Sequence, residues 1–406
     1  MTTYEILRLG HQCDGIAEGP VYAPGALPGE LVRGTLEGQR LTDMRIERPS
    51  EHRVRPPCRH YKSCGGCSVQ HAADAFVADW KVDIVRSALA AYGIETSFLP
   101  IATSPARARR RATLSARRTK KGAMAGFHAK GSDGLIEVPG CELLHPDLMA
   151  ALPVAEALAL HCASRKGALS VAACLSSGGL DVNVTGGREL DGPLRMMLAQ
   201  LAQAHDLARL SWDDETVAQR RLPEQVFGAV RVIPPPGTFL QATAEGEAAL
   251  LADLAAGVAG AGRIVDLFAG CGTFTLPLSA HAQVHAVEGN AAMTGALEAG
   301  YRKTQGLRQV SVEARDLFRR PLLPDELSAF DAAVLDPPRA GAEAQVAELC
   351  RAEVPWVGYV SCNPVTFARD ANTLIGAGYG LSAVRVVDQF RWSSHIELVA
   401  QFARSV

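Results

Sequence analysis

Residues 264–278 read IVDLFAGCGTFTLPL, and this stretch decides the fold. An apolar strand carrying one acid, Asp266, runs into a turn with Gly270 and Gly272. Glycines there permit unusual dihedrals and a close approach of backbone to a ligand. The following TFTLPL begins a helix. A bare strand-to-helix turn uses the same residues, so the turn alone is a weak signal. It also lacks the G-x-G-x-x-G form of dinucleotide folds, because position 275 is Thr.

The sequence downstream strengthens it. Strand-like runs recur as QVHAVEG (283–289), QVSVEARD (309–316), AAVLDPP (332–338), WVGYVSC (356–362), SAVRVVDQF (382–390) and HIELVAQFA (395–403). A long Ala/Leu helix, EGEAALLADLAAGVAG (245–260), precedes the first strand. Alternating strands and helices predict a mostly parallel sheet covered on both faces. The last two strands have no obvious helix between them and predict an antiparallel hairpin. Acids close successive strands: Glu288, Asp316 and Asp336. Glu288 is placed to accept from both ribose hydroxyls of a nucleoside, and Asp316 to meet an adenine amino group. Three acids around a glycine turn suit a ligand that is cationic at sulfur and carries no phosphate. A pyrophosphate would need a free helix N-terminus. An NAD-dependent oxidoreductase on the same sheet is the rival, and the missing glycine pattern weighs against it.

The rest of the 406 residues divides into two further units. Residues 1–50 carry short apolar runs punctuated by Gly and Pro, which predicts a small β-barrel. Their spacing resembles a TRAM module, an oligonucleotide-binding-like barrel, although a plain hairpin extension reads almost as well. Residues 51–240 predict a central α+β domain, with a helix near 74–92 and another near 146–163. The third unit is 241–406. Apolar residues are 48%, enough for sizeable cores, and a net charge of −2 announces no nucleic-acid binder globally. No uninterrupted apolar run reaches the roughly 18 residues of a membrane span. No secretory leader is apparent, so a cytoplasmic monomer is expected.

Several motifs together carry a resemblance to a known family. D-x-F-x-G-x-G (Asp266, Phe268, Gly270, Gly272) with the acidic end Glu288 looks like a class I S-adenosylmethionine-dependent methyltransferase, a Rossmann-like α/β fold. DPPRAG (336–341), SCNP (361–364) and the terminal HIELVAQF (395–402) resemble the RNA uridine-5-methyltransferases, over most of the chain. The resemblance implies an RNA (uracil-5-)-methyltransferase that uses S-adenosyl-L-methionine. It makes Cys362 the nucleophile and Glu397 the base. Carbon 5 of uracil is too weak a nucleophile to take a methyl group unaided, and a thiolate adding at carbon 6 turns the ring into an enolate. A base must then remove the carbon-5 proton. On its own, Cys362 is only a strand-end cysteine that Pro364 forces into a turn, and Glu397 a carboxylate in an apolar strand, expensive unless paired.

Carry-over from the family adds cofactor contacts at Gln241, in PPPGTFLQAT (234–243), and at Phe268 and Thr273; Asp266, Gly270, Glu288, Asp316 and Asp336 complete the expected set. Thr243 stands where many members have Asn. Arg339 is expected to face the substrate.

Cys58, Cys64 and Cys67 cluster on a Gly-rich loop, and such a set in a reducing compartment binds metal. Zinc and iron–sulfur both want four ligands, and the local sequence leaves the choice open. Cys141, in CELLHP (141–146), is the candidate fourth ligand. The family resemblance implies a [4Fe-4S] cluster on these four. Finally, Arg107, Arg109, Arg110, Arg111, Arg117, Arg118, Lys120 and Lys121 crowd 15 residues. A solvated charged strand would look the same. The match of Arg109–Leu114 to the family's R-R-R-A-x-L segment implies contacts to RNA. The barrel and the cysteine loop together favour 23S rRNA as the target. A tRNA enzyme and a non-catalytic, metal-containing RNA-binding protein are the alternatives.

Overall fold

The computed structural model describes residues 2–164 and 167–404. Five strands lead the chain: β1 (Thr2–Leu9), β2 (Asp14–Ala17), β3 (Val21–Pro24), β4 (Leu31–Glu37) and β5 (Arg40–Arg48). They close into a barrel in the order β1-β2-β3-β5-β4, so no sheet edge is left open. Small residues let it close: a Cβ on Gly15 would stand 2.8 Å from the Ala26 carbonyl oxygen. The fully buried Glu30 accepts from the backbone N–H of Leu27 and Ser50 and from Arg53, which fastens the barrel to the loop that follows.

That loop leads into α1 (Asp74–Ala90) and β6 (Ala102–Thr103). The central sheet comprises β7 (Arg111–Arg118), β8 (Ala123–His128), β9 (Leu135–Ile136), β10 (Ala168–Ser176), β11 (Gly179–Thr185), β12 (Arg209–Trp212) and β13 (Glu215–Gln219), with helices α2 (Ala151–Cys162) and α3 (Gly192–Ala204). Its order is β13-β12-β11-β10-β7-β8-β9. The helix expected from residue 146 is split. Pro146–Ala150 form a 3-10 turn and α2 starts at Ala151. That start puts Pro153 in the first turn, where a missing N–H breaks no hydrogen bond.

A short hairpin, β14 (Gln225–Phe227) and β15 (Val230–Val232), precedes α4 (Ala244–Gly257). The C-terminal sheet holds β16 (Arg263–Leu267), β17 (Gln283–Glu288), β18 (Val310–Ala314), β19 (Ala332–Leu335), β20 (Trp356–Ser361), β21 (Tyr379–Asp388) and β22 (Glu397–Arg404). Between them run α5 (Thr275–Leu278), α6 (Ala291–Arg302), α7 (Pro324–Leu327), α8 (Glu343–Ala352) and α9 (Pro364–Gly376). The order is β18-β17-β16-β19-β20-β22-β21-β6. β16 to β20 are parallel, and β22 runs antiparallel to both β20 and β21. Apolar cores on both faces explain the near-continuous Val/Leu/Ala of these strands. This is a class I Rossmann-like sheet. It reaches back across residue 240: β6 pairs parallel with β21, and Val85 and Leu89 of α1 share its core.

The strand order reverses between β16 and β19. In open α/β sheets that switch point opens a crevice at the carboxyl ends of the strands. β22 runs against its neighbour, so its first residue, Glu397, emerges at that same edge.

Candidate active site

The crevice begins with the glycine turn. Phe268 takes a left-handed conformation (φ 64°), as do Gly270 (59°) and Gly272 (91°). At Gly272 glycine is required twice over, since a Cβ would also stand 2.9 Å from Leu276 and Leu297 side chains. The turn aims the Gly270 N–H at Glu288, donating to Oε2 over 3.1 Å, while Asn290 N–H donates to Oε1 over 2.9 Å. Two backbone donors thus hold this carboxylate and leave lone pairs for a ligand diol. Thr273 is half-buried in the same turn. Asp316 lies two residues past the end of β18, its carboxylate accepting from Phe318 N–H at 3.0 Å. Phe318, which the sequence reading passed over, packs on Phe268 with centroids 5.4 Å apart. The pair makes an apolar wall beside Asp316 for a flat base.

Deeper in, acids crowd together. Asp266 is fully buried; Thr275 Oγ1 donates to its Oδ2, and Oδ1 has no partner. Burial pushes its pKa up to about 7, against the Thr275 bonds and with help from the Glu288 charge. Burial and then the Asp266 charge raise Asp336, and the Gln241 amide pulls it back. Burial and then the Asp336 charge raise Glu397, opposed by Gln389 and Arg111. Each carboxylate here makes the next harder to ionise. A cation entering the crevice relieves all of them, which is the electrostatics a sulfonium requires.

Amides run through this cluster. Gln241 Nε2 donates to Asp336 Oδ2 at 3.2 Å, and Gln389 Nε2 donates to Gln241 Oε1 at 2.6 Å and to Glu397 Oε2 at 3.0 Å. Sequence reasoning missed Gln389. Its only signal was a polar residue at the end of the apolar run VRVVDQF, which does not reveal what it faces. Thr243 spends its hydroxyl on capping α4 at Gly246 N–H and on Ser104, so it does not replace the expected Asn contact.

Cys362 follows β20 directly. Asn363 caps α9 with Pro364 at the first helical position, and the Asn363 amide donates to the Arg339 carbonyl at 2.9 Å. These bonds tie the SCNP turn to the DPPRAG turn. Burial, then Glu397 and Asp336, push the Cys362 thiol up to about 11, and Arg339 works against them. The half-buried cysteine opens on a cleft of about 1080 Å³. Barrel residues Arg8 and His11, Phe76 and Trp80 of α1, and Arg339 share its lining.

The arginine run does not form one surface. Arg110 donates to the Gln241 carbonyl at 3.0 Å and ion-pairs with Glu247 of α4, so it braces the Gln241 segment instead of facing solvent. Arg107 is paired in a fork with Glu142, both bonds 2.8 Å. Arg109 lies over the Phe390 ring, and Arg111 over Phe239 at 4.2 Å from the centroid. Arg117, Arg118 and Arg339 are exposed.

The expected metal geometry is not formed. Among the described residues no group of three or more His, Cys, Asp or Glu side chains is arranged to hold a metal ion. Cys58, Cys64, Cys67 and Cys141 are free thiols. Protonated thiols behave as small apolar groups, and these pack accordingly. Cys64 joins the core of the central sheet, and Cys67 joins the cluster between barrel and α1. Cys141 borders both. Burial raises Cys67 to about 12, and Cys141, Cys64 and Cys58 add to it.

Comparison with known proteins places the chain in a family. Residues 304–404 match the tRNA (uracil-5-)-methyltransferase family profile. An RNA methyltransferase of Mesorhizobium japonicum is 43% identical over 98% of this chain and 97% of its own length. The 23S rRNA (uracil(1939)-C(5))-methyltransferase of Halomonas elongata is 34% identical, over 97% of this chain and 87% of that protein. The Pyrococcus abyssi tRNA (uracil-54, C5)-methyltransferase, solved with S-adenosyl-L-homocysteine, superposes with a TM-score of 0.78 at 20% identity, covering 99% of both chains. At that identity the likeness shows the fold alone. No described helix is long and apolar enough to cross a membrane.

Proposed function

The chain belongs to the S-adenosylmethionine-dependent RNA uracil-5-methyltransferases, and from that premise we propose that Cys362 is the nucleophile and Glu397 the proton acceptor of its reaction. The carrying observation is the emergence of both at one sheet edge, with Asp336 and Gln241 between them and the glycine turn. The Cys362 thiolate adds to carbon 6 of the target uracil, and the electron pair moves into the ring as an enolate. When bound, the cofactor supplies the methyl group to carbon 5 as a sulfonium. The Glu397 carboxylate then takes the carbon-5 proton, the carbon–sulfur bond at carbon 6 breaks, and Cys362 leaves as thiolate. Glu288 holds the ribose hydroxyls and Asp316 the adenine edge. Gln241, Asp266, Phe268, Gly270, Thr273 and Asp336 line the remainder of the cofactor site.

The cleft that reaches Cys362 takes the RNA, with Arg339 beside the flipped nucleotide and the exposed Arg117 and Arg118 on its phosphates, while Arg109 and Arg111 lie inward over Phe390 and Phe239. The target is 23S rRNA. The 34% identity to a 23S rRNA enzyme along 97% of the chain supports this over tRNA; the barrel does not decide, since the likeness to the tRNA enzyme's fold spans both chains. We also assign Cys58, Cys64, Cys67 and Cys141 to a [4Fe-4S] cluster with a structural role. The donor set fits in chemical kind, four thiols, although the sulfurs do not stand at ligand positions. Protein purified without oxygen should be brown and contain iron; colourless, iron-free protein overturns the cluster. The protein is read as a monomer.

Trapping tests the chemistry. RNA transcribed with 5-fluorouridine has no removable proton at carbon 5, so the wild-type protein should form a denaturation-resistant adduct and Cys362→Ala none. A Cys362→Ala protein that still methylates RNA defeats the mechanism. Mapping 5-methyluridine in rRNA and tRNA from cells with and without the gene decides the target.

A further inference from the structure

Gln389 is buried (1% exposed) at the centre of the site, and its orientation is fixed. An amide side chain has one acceptor oxygen and two N–H donors. Its oxygen must be the atom that meets the Ala242 backbone N–H, accepting at 2.7 Å, since a nitrogen there would face donor to donor. Nε2 is therefore turned toward Gln241 Oε1 (2.6 Å) and Glu397 Oε2 (3.0 Å), which take its two hydrogens. The constraint propagates. Gln241 Oε1 is occupied as an acceptor, so Gln241 Nε2 is the end that meets Asp336 Oδ2. One backbone amide thus sets the direction of every side-chain bond from Asp336 to Glu397.

We propose that Gln389 is a positioning residue that aims the Glu397 carboxylate and ties it to the cofactor pocket through Gln241 and Asp336. It rests on the reading of Glu397 as proton acceptor. Glu397 Oε2 is held by Gln389, which leaves Oε1 as the oxygen that receives the carbon-5 proton. The same bond favours the charged carboxylate over the neutral acid. Around Glu397 stand Asp336 at the end of β19, Cys362 after β20 and Arg111 on β7. Asp336 opposes ionisation of Glu397, while Arg111 and Gln389 favour it. Of these helpers, Gln389 alone donates a hydrogen bond to it. When a cation settles beside Asp336, the chain carries a firmer Asp336–Gln241 bond to the base, so cofactor occupancy and readiness of the base are linked.

The test uses full-length protein, S-adenosylmethionine and a 23S rRNA transcript labelled with tritium at uridine carbon 5, whose release reads proton removal. Gln389→Met keeps the shape and removes both donors. Tritium release should slow by roughly tenfold or more, with the methylated adduct accumulating. Its acid limb should move up by about one pH unit. The melting temperature should fall, because the buried Ala242 N–H and Gln241 Oε1 lose their partner, and through Gln241 the KM for S-adenosylmethionine should rise by less than tritium release falls. Gln389→Glu keeps the acceptor for Ala242 and places an acid against Glu397, so its limb should move further in the same direction. If Gln389→Met does not fold, Gln389→Glu decides alone. Wild-type release and an unmoved limb in the folded variants overturn the inference. Glu397→Gln is the control: if it releases tritium normally, the reading of Glu397 has failed. If it stalls while Gln389→Met does not, only the role of Gln389 has failed.

Discussion

Leu398 of β22 pairs with Ser361 of β20 across an antiparallel register, so the next residues outward, Glu397 and Cys362, come side by side at one edge of the sheet. A parallel last strand would have sent Glu397 to the opposite edge. The reversal of β22 is what brings the proposed base and the proposed nucleophile, 35 residues apart in sequence, to one crevice.

That arrangement separates two steps. Cys362→Ala should abolish both the RNA adduct and methylation. Glu397→Gln should still form the adduct and transfer the methyl group, but release product about 10² to 10⁴ times more slowly. Gel shift under denaturing conditions, followed over time, distinguishes the two. Loss of adduct in Glu397→Gln would contradict the division of roles.

Asp266 ties stability to pH. Its folded pKa, about 7, lies above its ordinary value of 3.8 because the carboxyl is buried. The fold therefore favours the neutral acid. That contribution is complete below the ordinary value and is lost as pH rises through about 7. Without cofactor, the wild-type melting temperature should fall between pH 5 and pH 8. Asp266→Asn, which can still accept from Thr275, should flatten that fall. Parallel melting curves for the two proteins would refute this account.

Much of this was legible in the sequence, and for physical reasons. The glycine turn, the acidic strand ends and the closing hairpin follow from periodicity and turn chemistry, which are local. The barrel was legible because its turns are marked by Gly and Pro. The amide chain was not, because Gln241 and Gln389 are 148 residues apart and meet only through sheet order. The arginine run misled for the same reason. Charge density along the chain does not say that Glu247, arriving on α4, will claim Arg110.

Those arginines should now divide by experiment. Arg117→Ala with Arg118→Ala should weaken RNA binding and shallow its salt dependence by about one logarithmic slope unit for each phosphate no longer neutralised, leaving S-adenosylhomocysteine affinity intact. Arg110→Ala strips Glu247 of its partner and the Gln241 carbonyl of a donor, so it should weaken cofactor binding as well. Calorimetry with S-adenosylhomocysteine separates the two classes. An Arg110→Ala protein with normal cofactor affinity would return that residue to the RNA surface.

Lys81 carries the last test. Its ammonium is fully buried, donating to Asp388 Oδ1 at 2.6 Å and to the carbonyls of His395 (2.9 Å) and Phe390 (3.2 Å). A helix from the first quarter of the chain thereby pins both ends of the loop from Asp388 to His395, which leads into Glu397. Burial lowers the Lys81 pKa, and Asp388 resists it. Removing one partner strands the other as an uncompensated buried charge. Lys81→Met should therefore destabilise the protein by about 3–5 kcal/mol. Adding Asp388→Asn to Lys81→Met should recover much of that loss, since no buried charge then remains. Denaturant unfolding of the single and double variants measures the coupling. Additive losses would show that the pair is not a unit and that the loop is held by its carbonyl contacts instead.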